Sequence, residues 1–400
     1  MLKRLFVVFL LGFSSGLPLC LVSSTLQAWF ADTGMSIWIT SFLSLVGFPY
    51  LLRFLWAPFL DRYSILLLGR RRGWIIGMQI LLILGLSIMT WFTPTTSPWL
   101  MVILAGSLAL FSATQDAAID AQRVEYLPNA YYGLGASLSS TGYRLGMLLS
   151  GGVALIIAQK YGWIVAYRLM IFGLLIGMFA AWWSAEPTTT NKDPDIAHTY
   201  KEALQDVLGR PAAWIFLLFI LFYKLGEVFT TSISGIVMPF LIHGLGFSLE
   251  NIGYVNKIWG TIALITGGII GGTAMLRISL YHALFWFGLL QAITNILFIM
   301  LAIVGKNLVL FSIAVMSDNF AAGLGSTALV ACIMSFVNQK YTATQFSILM
   351  CIAGLPRVLS GPIGAFLQAH YGWVGLYCIA FLVSLGFIPF LIRLKNDKMV

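Results

Sequence analysis

Long apolar runs alternate with short polar breaks along the whole chain. Runs bounded by turn or charge signals fall at Phe6 to Trp29, Ser36 to Phe59, Trp74 to Phe92, Trp99 to Ala121, Leu134 to Ile157 and Trp163 to Ser184. Six more follow, at Ala212 to Leu241, Ser248 to Thr273, Tyr281 to Ala302, Leu308 to Val330, Thr344 to Gln368 and Trp373 to Leu394. A helix needs about 20 mostly apolar residues to cross a bilayer, and these runs are of that length. Hydrocarbon offers the backbone no hydrogen-bond partner, so a lone apolar run can cross it only as a helix. The pattern therefore predicts an all-α polytopic membrane protein of twelve transmembrane helices. The longest polar stretch, Glu186 to Arg210, contains Thr188-Thr189-Thr190-Asn191-Lys192-Asp193-Pro194 and splits the runs six and six. We expect a six-helix bundle over residues 1–185, a linker over 186–211 and a second six-helix bundle over 212–400.

The two sets of six echo each other. Ser150-Gly151, Tyr161-Gly162-Trp163 and Tyr167 recur as Ser360-Gly361, Tyr371-Gly372-Trp373 and Tyr377, every residue displaced by 210 positions. The echo falls at the fifth-to-sixth and the eleventh-to-twelfth runs, equivalent places in two homologous halves related by an axis along the membrane normal. Interruptions also match. The first run holds Gly16-Leu17-Pro18 amid Ser14, Ser15, Ser23, Ser24 and Thr25, and the seventh holds Thr230, Thr231, Ser232, Ser234, Gly235 and Pro239. Paired discontinuities of this kind suggest a backbone opened around a central site, although membrane helices also tolerate Gly and Pro without function.

Composition fits a lipid solvent. Soluble domains carry about 25% charged residues; here the figure is 9%, with 60% hydrophobic residues and a mean hydropathy of +0.92. Lys3 and Arg4 precede the first run as in a signal peptide, but the run continues to Trp29 without a clear cleavage site and reads as a retained span. With the N-terminus in the cytoplasm, the cytoplasmic segments hold Lys3, Arg4, Arg62, Arg70, Arg71, Arg72, Arg123, Lys192, Lys201, Arg210, Arg277, Lys340, Arg393, Lys395 and Lys398, and the opposite side only Lys160 and Lys306. Fifteen cations against two is a strong positive-inside bias, which puts both termini and the linker in the cytoplasm. It also accounts for the net charge of +9 without nucleic acid, which would need a clustered soluble basic face. Cys20, Cys332, Cys351 and Cys378 lie in apolar runs without C-x-x-C spacing, so no disulfide framework, metal site or cofactor is expected.

Between the second and third runs the chain reads Asp61-Arg62-Tyr63, a short apolar stretch, then Gly69-Arg70-Arg71-Arg72-Gly73. This resembles the D-R-x-G-R-R loop of major facilitator transporters, with extra residues before the arginines. The resemblance implies the major facilitator fold and a cytoplasmic gate, in which the acid and arginines pair with neighbouring helix ends and hold the inside closed. Asp61, Arg62, Arg70 and Arg123 are the expected gate residues, with Glu125 a further partner. As exposed pairs they would contribute about 0 to 1 kcal/mol each. The alternative is an arginine cluster that only sets topology.

A second resemblance is narrower. Phe13-Ser14-Ser15-Gly16-Leu17-Pro18, Thr25-Leu26-Gln27-Ala28-Trp29, Phe54-Leu55-Trp56-Ala57-Pro58, Ser112-Ala113-Thr114-Gln115-Asp116 and Gly142-Tyr143-Arg144-Leu145-Gly146-Met147-Leu148-Leu149-Ser150-Gly151-Gly152 together resemble the bacterial AmpG-type muropeptide permeases. The likeness spans Phe13 to Pro187 and is more diffuse afterwards. It implies proton-driven import of N-acetylglucosaminyl-1,6-anhydro-N-acetylmuramyl peptides across the inner membrane, for peptidoglycan recycling and, in some bacteria, β-lactamase induction. Partners would then be muropeptide, protons and the lipid bilayer, with the chain acting as a monomer. Acetyl-coenzyme A transporters share several of these features, so another organic anion, or a sugar, stays open as cargo.

Ionisable groups inside the runs are costly, about 2.5 to 3.5 kcal/mol at a helix centre, and so face a cavity or a partner. Arg144, Lys224, Glu227 and Asp318 fall near mid-run, and Asp116 lies somewhat toward the cytoplasm beside Gln115, one turn from Asp120. With Tyr143, these are the candidates for binding cargo or coupling to protons, because a sugar-peptide needs cations, amides and aromatic faces and a proton-driven carrier needs an acid. Asp120 can equally pair with Arg123, and Lys224 with Glu227, each three residues on. Arg53, Arg168, Lys257 and Arg357 read as helix–helix pairs or snorkelling chains as readily as ligands, and Trp29, Trp56 and Trp259 as interfacial anchors. A membrane-embedded transferase is the third reading, but His198, His243, His282 and His370 stand singly and form no catalytic constellation, so no enzyme is expected.

Overall fold

The computed structural model describes residues 1–35, 43–65, 68–186, 196–230 and 236–397. Every regular element among them is helical. Among the described residues, eight helices are long and apolar enough to cross a bilayer: Leu2–Phe30, Arg70–Met89, Pro98–Tyr126, Asn129–Tyr161, Trp163–Trp183, Leu280–Val304, Leu308–Phe336 and Ile363–Asn396. Thr199–Leu208 and Ala213–Val228, which meet at 85°, make a ninth if taken as one span. Of the three remaining expected spans, two are present in broken form and one is continuous with its neighbour. The second is a 3₁₀ turn, Leu43–Gly47, then Phe48–Leu52, Arg53–Leu55 and Ala57–Arg62. Pro49 and Pro58 divide it, each in the first turn of a new helix because neither can donate to the turn before. The eighth winds in wide π turns over Gly253–Trp259 before the Gly260–Ala274 helix. The eleventh runs from Thr342 into the twelfth and is divided only at Gly372. Ser36, residues 187–195 of the expected linker, and Thr231, Ser232, Ser234 and Gly235 lie outside the described residues, as do the side chains of His198, His243 and Lys257.

Two compact units result. One comprises Met1–Pro128, Leu138–Leu204 and Val337–Ser347; the other comprises Asn129–Ser137, Gln205–Phe336 and Ile348–Val400. Leu17, Leu21, Phe30, Leu82, Leu108 and Leu174 are central to the core of the first. In the second, Phe240, Phe298, Phe311 and Tyr377 take that place. Outer faces are bare and apolar: on Trp163–Trp183, Phe172, Phe179 and Trp182 are 52% to 64% exposed. Continuous apolar rows of this kind suit lipid rather than water.

The 210-residue echo is visible in the backbone. Gly162, with φ 87°, joins Ala154–Tyr161 to Trp163–Trp183, and Gly372, with φ 67°, joins 342–371 to 373–384. Both sit in the left-handed region, where glycine has no Cβ to clash. Aromatic packing repeats as well. Trp29 lies 5.8 Å from Trp163 and 5.2 Å from Tyr167, while Phe240 lies 5.1 Å from Trp373 and 4.9 Å from Tyr377. Trp29 is buried, so it is a packing residue and no interfacial anchor. Within the first unit, the first and fifth spans cross backbone to backbone: a Cβ on Gly16 would lie 2.0 Å from the Tyr143 carbonyl oxygen.

Candidate transport site and gate

The first span stays helical through Pro18 and breaks one turn later, at Ser23, whose hydroxyl donates back to the Leu19 carbonyl at 2.5 Å. Its inner turn carries Ser14 and Ser15. Ser15 donates to Asp116 Oδ1 at 2.6 Å, Gln79 Nε2 donates to Ser14 Oγ at 2.6 Å, and Gln115 Nε2 donates to the Ser14 carbonyl at 3.2 Å. Asp116 is 7% exposed; Gln115 is fully buried and its Oε1 has no partner among the described residues. Gly177 makes room for the amide, since a Cβ there would lie 2.2 Å from Gln79 Nε2. Tyr50 and Tyr143 are within electrostatic range of Asp116, and Arg144, next to Tyr143, is half-buried. One turn along, Asp120 is held by Arg53 and Arg123, each at 3.0 Å, and Arg123 donates to Ser139 Oγ at 2.8 Å. Trp56 Nε1 donates to Thr114 Oγ1 at 2.9 Å, so this indole too is tied to a helix.

In the second unit, Glu227 takes Lys224 Nζ on Oε1 at 2.5 Å and Gln291 Nε2 on Oε2 at 3.0 Å. Arg357 stands within electrostatic range of that carboxylate. Asp318 Oδ1 accepts from Thr230 at 2.9 Å and Thr294 at 3.1 Å. The helix Ala213–Val228 ends directly after Glu227, and Thr231, Ser232, Ser234 and Gly235 of the expected interruption lie outside the described residues. Gln79, Gln291 and Thr294 are not singled out by the sequence, nor are the placements of Ser15 and Thr230 against the two acids. The available signal is Gln79, a lone amide in its run, and the polar set Gln291, Thr294 and Asn295 in an otherwise apolar one.

The gate cluster differs from expectation in three respects. Its centre is Arg71, which was not among the expected residues: it donates to Asp61 Oδ1 at 2.7 Å, to Glu125 Oε1 at 2.5 Å and to the Leu60 carbonyl at 2.9 Å. Arg70 does join, bonding the Asp61 carbonyl at 2.7 Å and Glu125 at 3.1 Å. Arg62 instead lies over the ring of Tyr63, and Arg123 belongs with Asp120. The third difference is burial: Asp61 and Arg71 are 0% exposed, so the exposed-pair magnitude does not apply. Breaking a buried pair costs about 3 to 5 kcal/mol. Asp61 also accepts the N–H groups of Ala343 and Thr344, at 2.9 and 2.8 Å, and the Thr344 hydroxyl at 2.6 Å. Glu186 in turn accepts the N–H groups of Arg71 and Arg72, at 2.8 and 3.0 Å. On the turn before Thr342, Lys340 meets Glu202 at 3.1 Å and Tyr341 donates to the same carboxylate. Hydrogen bonds with Tyr341 and Glu202 raise the Lys340 pKa above its ordinary value.

Paired helical bundles, buried charged groups within the spans and a carboxylate–arginine loop define a membrane transporter. The model of the Major Facilitator Superfamily matches residues 4–361, and the chain belongs to that superfamily. The anhydromuropeptide permease of Escherichia coli (strain K12) is 41% identical over 374 residues, covering 93% of this chain and 75% of that one. An uncharacterized protein of Haemophilus influenzae is 34% identical over 393 residues, covering 94% and 92%. The Escherichia coli relative bears out the likeness to the AmpG-type permeases. Among solved structures, a bacterial homologue of the iron transporter ferroportin in an outward-facing state matches with a TM-score of 0.72 at 12% identity over 98% of both chains. The transporter FucP in the outward conformation matches at 0.71 and 12%, over 97% of this chain and 98% of that one. At such identities they speak to fold alone.

Proposed function

We propose that the chain is a proton-coupled importer that carries N-acetylglucosaminyl-1,6-anhydro-N-acetylmuramyl peptides from periplasm to cytoplasm across the bacterial inner membrane. The observation that carries this is the 41% identity, over 93% of the chain, to the Escherichia coli anhydromuropeptide permease. The chemistry of the two polar clusters supports it. Arg144 and Lys224 suit cargo carboxylates, Gln115 offers a free amide oxygen to a sugar or peptide N–H, and Tyr143 an aromatic face. Asp116 is the coupling acid of the first unit, and Asp61 with Arg70 and Arg71 forms the cytoplasmic gate. Both termini and the linker over 186–211 are cytoplasmic, the bundles 1–185 and 212–400 flank it, and the working unit is a monomer.

Right-side-out vesicles carrying this chain, from cells lacking their own permease, should accumulate radiolabelled anhydro-muropeptide only under a proton gradient. Excess acetyl-coenzyme A should not compete. No uptake, or displacement by acetyl-coenzyme A, overturns the proposal.

A further inference from the structure

Asp318 stands in the second unit much as Asp116 stands in the first. Their helices, Pro98–Tyr126 and Leu308–Phe336, are each 29 residues long and begin and end 210 positions apart, so each acid is on the fourth span of its half. Each accepts a hydroxyl from the first span of the same half, Ser15 for Asp116 and Thr230 for Asp318. Asp61, Asp120, Glu125 and Glu227 all form ion pairs. Asp116 and Asp318, among the described residues, form none.

The hydrogen bonds around Asp318 suit two protonation states. Thr294 Oγ1 lies 2.8 Å from the Gln291 carbonyl and 3.1 Å from Asp318 Oδ1. Thr230 Oγ1 lies 3.3 Å from the Glu227 carbonyl and 2.9 Å from the same Oδ1. Each hydroxyl has one proton and can also accept. With Asp318 ionised, both threonines turn their protons onto Oδ1. With Asp318 protonated, its O–H donates to one threonine, which donates to its own helix carbonyl. The exchange needs only hydroxyl rotation. Among the described residues the facing groups give the site no fixed counter-charge: Glu227 is already matched by Lys224, Arg357 stands with that pair, Tyr377 contributes a phenol, and Leu280–Val304 supplies the neutral Gln291, Thr294 and Asn295.

We propose that Asp318 is a second proton-carrying carboxyl, so that two protons, one on Asp116 and one on Asp318, cross with each cargo molecule. The inference rests on the proton-coupled reading above. Each carboxylate takes up a proton from the side of higher proton activity and releases it to the other side, with no other bond made or broken. In their own helices Asp116 is the nineteenth residue and Asp318 the eleventh, so the two acids are not copies of one duplicated position.

The test uses the purified chain in proteoliposomes with radiolabelled anhydro-muropeptide, and reads the proton-to-cargo ratio from the voltage at which net flux vanishes. The expected ratio is two for the parent protein and one for Asp318→Asn. A parent ratio of one, or a ratio unchanged in Asp318→Asn, overturns the inference. If the parent takes up none of this cargo, the functional reading fails instead, and infrared difference spectroscopy across pH still decides for Asp318. A protonated-acid carbonyl band lost in Asp318→Asn but kept in Asp116→Asn supports the assignment, and its absence from the parent overturns it. Should Asp318→Asn not fold, Thr294→Val keeps the carboxyl and removes one partner; it should move the pH midpoint of that band, and an unmoved midpoint counts against the site.

Discussion

One oxygen of Asp61, Oδ2, accepts both the backbone N–H and the hydroxyl of Thr344, at 2.8 and 2.6 Å, across 283 positions of sequence. Thr344 lies in the first turn of a helix, where N–H groups lack intrahelical partners and the dipole favours negative charge. Asp61 therefore serves as a cap lent to this helix by the last turn of a distant one, Ala57–Arg62.

Removing that cap should matter more than removing one donor. Hydrogen bonds to a charged group contribute about 1.5 to 3 kcal/mol, so Asp61→Asn should lower the initial rate of muropeptide uptake at least about tenfold. Thr344→Val loses only one of the bonds to that charge and keeps both backbone N–H groups, so its effect should be smaller than that of Asp61→Asn. Equal losses in the two variants would deny Asp61 its capping role.

Arg71 and Arg62 offer a second contrast. Arg71→Lys keeps the charge but loses the planar fork that reaches Asp61, Glu125 and the Leu60 carbonyl, and should destabilise the protein by about 2 kcal/mol. Arg62→Ala should stay within about 0.5 kcal/mol. Melting followed by intrinsic fluorescence in detergent distinguishes them, and a comparable loss in both would refute the burial argument.

These residues also show what the sequence could and could not reveal. The i, i+3 pairs Asp120–Arg123 and Lys224–Glu227 were legible because helix geometry brings such residues together. Arg71 was not, because the phase of three consecutive arginines depends on where the helix starts, and that is set by Gly69 at φ 101° and by Glu186 from beyond the sixth span. Thr344 was invisible for a similar reason: nothing local links it to Asp61. The twelve apolar runs could be read from hydropathy alone. That the second and eighth are broken depended on local backbone choices, made visible beforehand only by Pro49 and Pro58.

Asp116→Asn exchanges one oxygen for nitrogen and removes only the titratable charge. Counterflow of muropeptide should survive in this variant while accumulation under a proton gradient is abolished. Normal accumulation by a well-inserted Asp116→Asn protein would reduce this side chain to packing.

Glu227→Gln should behave differently, because it strands the Lys224 ammonium. The pair is half-buried, at 16% and 12% exposure, so breaking it from one side should cost less than the about 3 to 5 kcal/mol of a fully buried pair; folded yield should still fall, and Lys224→Met combined with Glu227→Gln should recover most of it. Monodispersity on size-exclusion chromatography reports the outcome. Full yield from Glu227→Gln alone would show that the pair is dispensable for folding.

Gly16→Ala tests the crossing of the first and fifth spans. Its methyl group would press on the Tyr143 carbonyl, and overpacking of this kind costs about 1 to 3 kcal/mol. Gly106→Ala, with no atom within 4 Å of the new Cβ, should be neutral. Both can be ranked by thermal melting, and a harmless Gly16→Ala would mean that the two helices can separate freely.

Gly162 and Gly372 each turn one helix into the next within a single residue. At these corners there is no loop to thread into a protease, to present to an antibody or to receive an inserted epitope. Any residue but glycine there would have to adopt a backbone angle that L side chains resist. Mapping of the chain's path by tag insertion or limited proteolysis should therefore be silent at both corners, and markers there have to be placed on other connections.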